Sequence, residues 1–564
     1  MKKLLLPLCL MLAASVVQAA NCQIQNNNTG QALKPNANGD ALFKLLSAQP
    51  ECPQNALVFR KLLVDNQIKP TPAMVGNRGF SNPLPQGSFS FFETVTGQYG
   101  GQKLAPGDWF FGHFTASSID STAGSSTLVP QQSATPDNLL LETLIWDPSK
   151  AMFNFYEIRG TGQGGQWFYR GDSADIQADV ANLNRNRDPS QPIFMGAVNQ
   201  GQASLPRLRC SGCHMNGGPI MKELAEPNDS WWTRMRPLSL GAMRIAPELT
   251  ELLATLVNAD QFAGWVKAGS DKLLVSQPYW KARQASTLQE QLRPLFCAQE
   301  VNLESDKLPL SDGALTIAAP VAAFVDPRLA PSGTQSVTIS KALYVNSLNL
   351  FQSQFFDYQT GAIAGGVQPI GQIDADHAYE IPVKARSDIE LAQRMVDTGL
   401  ITDKFVYDVI SVDMTRPLLS AQRCGLLRLL PDGAAKAGWL PQFKQNLASS
   451  PQPAAKALLA NLNDAGRTRA YYQAQAKTLI DKIQARAGDQ QAVNGYVRLL
   501  AQDRIAVYQA ELSQHPQGQI FEPGFRLIFP TMQLFQKNQN QIAYGGVPGQ
   551  YWLNPASGAV ELSE

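Results

Sequence analysis

The chain has 564 residues, of which 44% are hydrophobic and 16% charged, and its formal charge is +1. This length suits several domains, and the composition excludes a disordered, collagen-like or membrane-bundle protein. Nothing in this composition or near-zero charge points to nucleic acid, so no nucleic-acid partner is expected.

Lys2 and Lys3, the apolar run from Leu4 to Val17 and the ending Val17-Gln18-Ala19 have the three parts of a secretory signal peptide, so residues 1–19 are read as a leader cleaved after Ala19. Its loss takes two of the 47 basic residues from a chain with 46 acidic ones and turns the formal charge to −1. Cys9 is lost with it. No later stretch reaches the roughly 18–20 uninterrupted apolar residues of a membrane span, so a periplasmic protein of bacterial type without an integral membrane segment is expected. Residues 20–104 carry short helical patterns among many Asn, Pro and Gly residues and read as an N-terminal lobe. From 105 to 194 the pattern turns to aromatic and β-branched runs at Asp108–Thr115, Leu139–Trp146, Phe153–Arg159 and Gln166–Arg170, which predict an antiparallel sheet. A short helix over Ser173–Leu183 follows. His113 alternates with aromatics in Trp109-Phe110-Phe111-Gly112-His113-Phe114, as a pocket-lining residue or as a satisfied buried histidine.

The segment Arg207-Leu208-Arg209-Cys210-Ser211-Gly212-Cys213-His214-Met215-Asn216-Gly217-Gly218-Pro219 carries the one motif with a definite chemical meaning. Two thiols three positions apart can add to the two vinyl groups of one haem while the adjacent imidazole reaches the iron, the pattern of c-type haem attachment. A thioredoxin-type redox site has the same cysteine spacing, but it follows a buried strand and opens a long helix. Here the preceding residues are arginine-rich and Gly217-Gly218-Pro219 breaks any helix. A structural zinc site needs a second ligand pair, and the other histidines are His113, His377 and His515, the last two in loop-like contexts.

By these residues the chain resembles the c-type cytochromes. In plan it resembles large periplasmic proteins with a single such motif, a group that includes cytochrome domains fused to enzymes and the haem-containing fatty-acid cis/trans isomerases. The resemblance implies one covalent haem c, held by thioether bonds from Cys210 and Cys213, with His214 as the proximal iron ligand. A proximal histidine donates its second ring nitrogen to a carbonyl, and the Pro219 carbonyl is the expected acceptor. Arg207 and Arg209 are read either as partners of haem propionates or as solvated surface charges.

Residues 195–300 have the size of a cytochrome c-like haem domain. Trp231, Trp232, Phe262, Trp265, Tyr279 and Trp280 suit packing around a flat cofactor, and equally a small helical core. Met243 stands before an apolar-periodic helix opened by Pro247-Glu248, with Leu249, Leu252, Leu253 and Leu256 on one face. That is the local context of a distal iron ligand, although Met243 follows His214 closely for a loop that rounds a haem edge, and methionine there also serves as core filler. Residues 301–384 read as a mixed connecting region, 385–512 as helical, with amphipathic patterns at Ile389–Thr398 and Ala454–Leu462, and 513–564 as strands and turns.

The expected architecture is multidomain α+β: an antiparallel β-sheet region, then a mainly helical cytochrome c-like haem module, then a mostly helical C-terminal region. The four cysteines outside the motif are expected to pair in an oxidising compartment, Cys22 with Cys52, which are close in sequence, and Cys297 with Cys424. No nucleophile elbow, phosphate-cradling glycine loop or zinc-protease helix occurs, so all identifiable chemistry belongs to the haem. Electron transfer with a periplasmic redox partner is one use. A haem enzyme with an open distal iron site, of peroxidase, oxygenase or isomerase type and acting on a small or apolar substrate, is the alternative, and a sensing or structural haem is a third.

Overall fold

The computed structural model describes residues 21–27, 29–78, 88–114, 133–134, 140–160, 165–184, 214–220, 231–232, 244–249, 259–299, 301–305, 315–352, 380–433, 438–513 and 551–562. The architecture is mixed α/β. Its strands up to residue 245 are β1 (Ile24–Asn26), β2 (Lys69–Arg78), β3 (Ser88–Tyr99), β4 (Gln102–Leu104), β5 (Trp109–Phe114), β6 (Ser133–Ala134), β7 (Leu140–Asp147), β8 (Met152–Gly160), β9 (Gly165–Asp172), β10 (Trp231–Trp232) and β11 (Arg244–Ile245). Nine of them form one sheet in the order β1-β9-β8-β7-β5-β3-β2-β10, with β4 added to β3, while β6 and β11 pair separately. Within the nine-stranded sheet, β1 runs parallel to β9 and the other pairings are antiparallel.

The four aromatic runs of the sequence are β5, β7, β8 and β9. The sheet also takes β2 and β3 from the segment read as an N-terminal lobe, so it runs through residue 104, where a domain boundary is expected. Pro70 and Pro72 disguise β2, because proline cannot donate to a ladder and is tolerated only near a sheet edge. That is where β2 lies: its outer neighbour β10 has two residues, and the register slips between Pro72 and Met74.

Alternation along the strands gives the sheet two apolar faces. On one face Trp109, Phe111, Leu141, Ile145, Ile158 and Trp167 pack with helices α1 (Ala41–Ser47) and α2 (Ala56–Asp65), through Leu42, Leu45, Leu46, Phe59 and Leu63. Both helices start on side-chain caps, Asp40 accepting from the Phe43 N–H and Asn55 from the Val58 N–H, each worth about 1 kcal/mol. Cys22 is bonded to Cys52 (Cα–Cα 4.5 Å).

Helix α3 (Ser173–Asn184) leaves β9, and the second face, with Phe153 and Phe155, packs against α4 (Ala259–Leu274), α5 (Gln277–Gln284) and α6 (Leu288–Phe296). The same apolar cluster continues into the C-terminal half. There the two-stranded antiparallel ladders are β12 (Val301–Ser305) with β15 (Glu380–Lys384), β13 (Thr316–Pro320) with β14 (Ser336–Ser340), and β16 (Tyr551–Leu553) with β17 (Val560–Leu562). The helices are α7 (Lys341–Gln352), α8 (Arg386–Asp397), α9 (Asp403–Ile410), α10 (Ala421–Gly425), α11 (Trp439–Ser449), α12 (Pro453–Asn463), α13 (Arg469–Arg486) and α14 (Gln490–Ser513). The patterns at 389–398 and 454–462 fall on α8 and α12. Leu391, Met395, Phe405 and Phe443 from these helices join Phe153 and Phe155 of the sheet in one cluster, each such buried side chain contributing about 1.5–3 kcal/mol. Cys297 pairs with Cys424 (Cα–Cα 4.9 Å), the second expected disulfide. Among the described residues no helix is long and apolar enough to cross a membrane.

Candidate functional site

The described part of the attachment segment begins at His214. Cys210, Cys213, Arg207, Arg209 and Met243, together with His377 and His515, lie outside the described residues. From His214 the chain makes a turn closed by the Gly217 N–H donating to the His214 carbonyl at 2.6 Å. Gly217 has a φ of +72°, and a Cβ there would lie 2.7 Å from the Ser173 carbonyl oxygen. Only glycine meets both conditions. The hydroxyl of Ser173, at the start of α3, donates to the Gly217 carbonyl at 2.7 Å. On the other side Ser270 of α4 donates to the Pro219 carbonyl at 2.9 Å. There α4 comes so close that a Cβ on Gly269 would sit 2.7 Å from Pro219 Cγ.

Within this seat the His214 ring places Nδ1 2.7 Å from the Gly218 carbonyl oxygen. A carbonyl only accepts, so Nδ1 carries the proton and the lone pair of the neutral ring is on Nε2. The acceptor is Gly218 and not the expected Pro219, because the Pro219 carbonyl is turned to Ser270. Phe155 of β8 packs against the imidazole at 62°, ring centroids 5.4 Å apart. An imidazole with Nδ1 bonded to a backbone carbonyl and its plane wedged by an aromatic ring is oriented as a metal-ligating histidine is. The donor set described here fits a haem iron ligand.

The residues after His214 are buried and fully engaged. Met215 packs against Val180, and its carbonyl accepts from the side-chain amides of Gln177 (2.6 Å) and Gln299 (3.2 Å). Arg283 of α5 holds Gln177 in place through its Oε1. The Asn216 carbonyl accepts from the Tyr279 hydroxyl at 2.8 Å. Its side-chain amide donates to Ser387 Oγ (2.8 Å) and Asp388 Oδ1 (3.1 Å), and Asn216 Oδ1 accepts from Gln299 Nε2 at 2.8 Å. Asp388, fully buried, also accepts from the Gln299 N–H at 2.6 Å. Sequence reading finds His214 and the glycines but misses Asn216, Gln299 and Asp388. Their partners lie 83 to 172 positions away, and no local pattern marks them.

Other candidates resolve into packing. His113 is buried with Nε2 2.9 Å from Glu93, whose other oxygen takes the Arg60 Nε at 2.9 Å. His113 is thus a buried histidine paired with a carboxylate inside the fold. Phe262 and Trp265 pack beside Phe110 and Phe92 over the sheet, and Tyr279 and Trp280 belong to the large central core. No protein-family model, curated protein or solved structure matches the chain. The functional reading therefore rests on the residues themselves.

Proposed function

We propose that the chain is an exported c-type haem protein of the periplasm, carrying one haem c on Cys210 and Cys213 with His214 as its proximal iron ligand, and that it serves electron transfer with a periplasmic redox partner. The observation that carries this reading is the His214 ring, fixed by the Nδ1 hydrogen bond to Gly218 inside a turn that begins directly after the two cysteines. A thioredoxin-type site would continue into a helix at these residues. They form a turn instead. When bound, the haem supplies a one-electron redox centre whose potential is tuned by axial ligand, burial and hydrogen bonding. The chain's own residues orient the imidazole: Gly218 fixes the tautomer and raises the basicity of Nε2, Phe155 restricts ring rotation, and Ser173 and Ser270 hold the backbone on either side. Met243 is proposed as the distal ligand.

Visible spectra of the purified protein, oxidised and reduced, with and without carbon monoxide, test this use. Electron transfer predicts a low-spin spectrum indifferent to carbon monoxide, and loss of that indifference in Met243→Ala. A high-spin spectrum that shifts readily with carbon monoxide overturns the carrier reading in favour of a haem enzyme acting on a small or apolar substrate.

A further inference from the structure

The turn that carries His214 is gripped from a distant part of the chain. Asp388 lies in the first turn of α8 with both oxygens used, Oδ1 by the Asn216 amide and Oδ2 by the Gln299 N–H. Asn216 in turn spends its side-chain oxygen on Gln299 and its amide on Ser387 and Asp388, while its carbonyl takes Tyr279. Asn216 sits inside the tight turn that the His214 carbonyl and Gly217 N–H close. Two residues further on is the Gly218 carbonyl that receives His214 Nδ1. A rotation of the Asn216 peptide therefore moves the acceptor that sets the imidazole plane. Gln299 is itself anchored two residues from Cys297, whose disulfide runs to Cys424. Next to it Arg423, buried, donates to the Phe296 carbonyl. Hydrogen bonds to a buried carboxylate are among the stronger ones available, and a fully satisfied buried network holds one arrangement.

We infer that Asp388 is a positioning residue for the iron-binding histidine: through Asn216 it sets the orientation of the His214 ring, so that α8, in the C-terminal half, tunes the proximal side of the haem. The inference rests on the reading of His214 as the proximal ligand. It predicts that Asp388→Asn keeps covalent haem, seen as haem-linked peroxidase staining of the denatured protein, but changes the iron. The ferric electron paramagnetic resonance spectrum, which reports the axial imidazole orientation, gains a second set of g values, and the midpoint potential shifts. The double variant Asn216→Asp with Asp388→Asn exchanges donor and acceptor across the pair and restores the wild-type spectrum. A folded D388N protein with wild-type g values and potential overturns the inference, as does a double variant that stays as altered as D388N. Where D388N does not accumulate, Asn216→Ala, which removes the side chain that Asp388 holds, carries the same expectation, and an unchanged spectrum there overturns it. A wild-type protein without covalent haem overturns the underlying reading instead, so the two failures are told apart.

Discussion

Gly217 shows how closely the turn is fitted. Its φ of +72° and the 2.7 Å that a Cβ would leave to the Ser173 carbonyl mean that Gly217→Ala forces either the turn or α3 to move. We expect a loss of about 1–3 kcal/mol, the cost of a strained non-glycine backbone, read as a lower thermal midpoint. Unchanged stability would show that the turn is not held against α3. At this scale the spacing of Cys210, Cys213 and His214 is readable in the sequence, and of the three the structure describes His214. The carbonyl partner of the imidazole was legible in kind but off by one residue, since Ser270, 51 positions away, claims Pro219. Asn216 looks like an ordinary turn residue until Asp388 is folded beside it.

At the scale of elements, the strands β5, β7, β8 and β9 and the helices α8 and α12 followed from alternation and helical periodicity. Strands β2 and β3 did not: Pro70 and Pro72 mask β2 near the sheet edge, and β3 falls in the stretch read as the N-terminal lobe. Nor does sequence reveal that the β12–β15 ladder ends beside a buried charge cluster, where Val301 faces Lys384 and Lys384 approaches Asp326 at 3.9 Å. Burial works to raise the Asp326 carboxyl. The Arg328 guanidinium, bonded to it at 2.7 Å, and Lys384 overcome this and hold it well below the usual carboxylate range. A carboxyl depressed in the fold contributes stability that is complete above its unfolded value, near 4, and is lost as pH falls towards its folded one. The urea midpoint should therefore drop as pH falls below about 4. Asp326→Asn should flatten that acid slope, yet cost about 3–5 kcal/mol at pH 7 by leaving buried cations without their counter-charge. An acid slope that is the same in the variant would place the sensitivity elsewhere.

Across the whole molecule, one apolar cluster joins the second face of the sheet, α4 to α6 and the helices from α8 to α12, so regions that read as separate stretches in sequence share a core. Composition cannot show this, because each stretch has an unremarkable apolar content and the joining contacts are long-range. The Cys297–Cys424 bond, spanning 127 residues, closes the same region covalently. On chain-entropy grounds its removal costs about 4–5 kcal/mol. Cys297→Ser with Cys424→Ser should lower the urea midpoint accordingly, and Cys22, Cys52, Cys297 and Cys424 should resist alkylation in the folded, oxidised protein. Free thiols at all four would refute the pairing.

The central claim is that Cys210 and Cys213 carry the haem whose iron His214 binds. Its most direct test is the mass of the peptide spanning these residues, released from protein made in cells able to attach haem to exported chains. The account predicts a peptide heavier by one haem, retained through denaturation and absent in Cys213→Ala. A wild-type peptide with both cysteines free or joined in a disulfide, and no added haem, would contradict it.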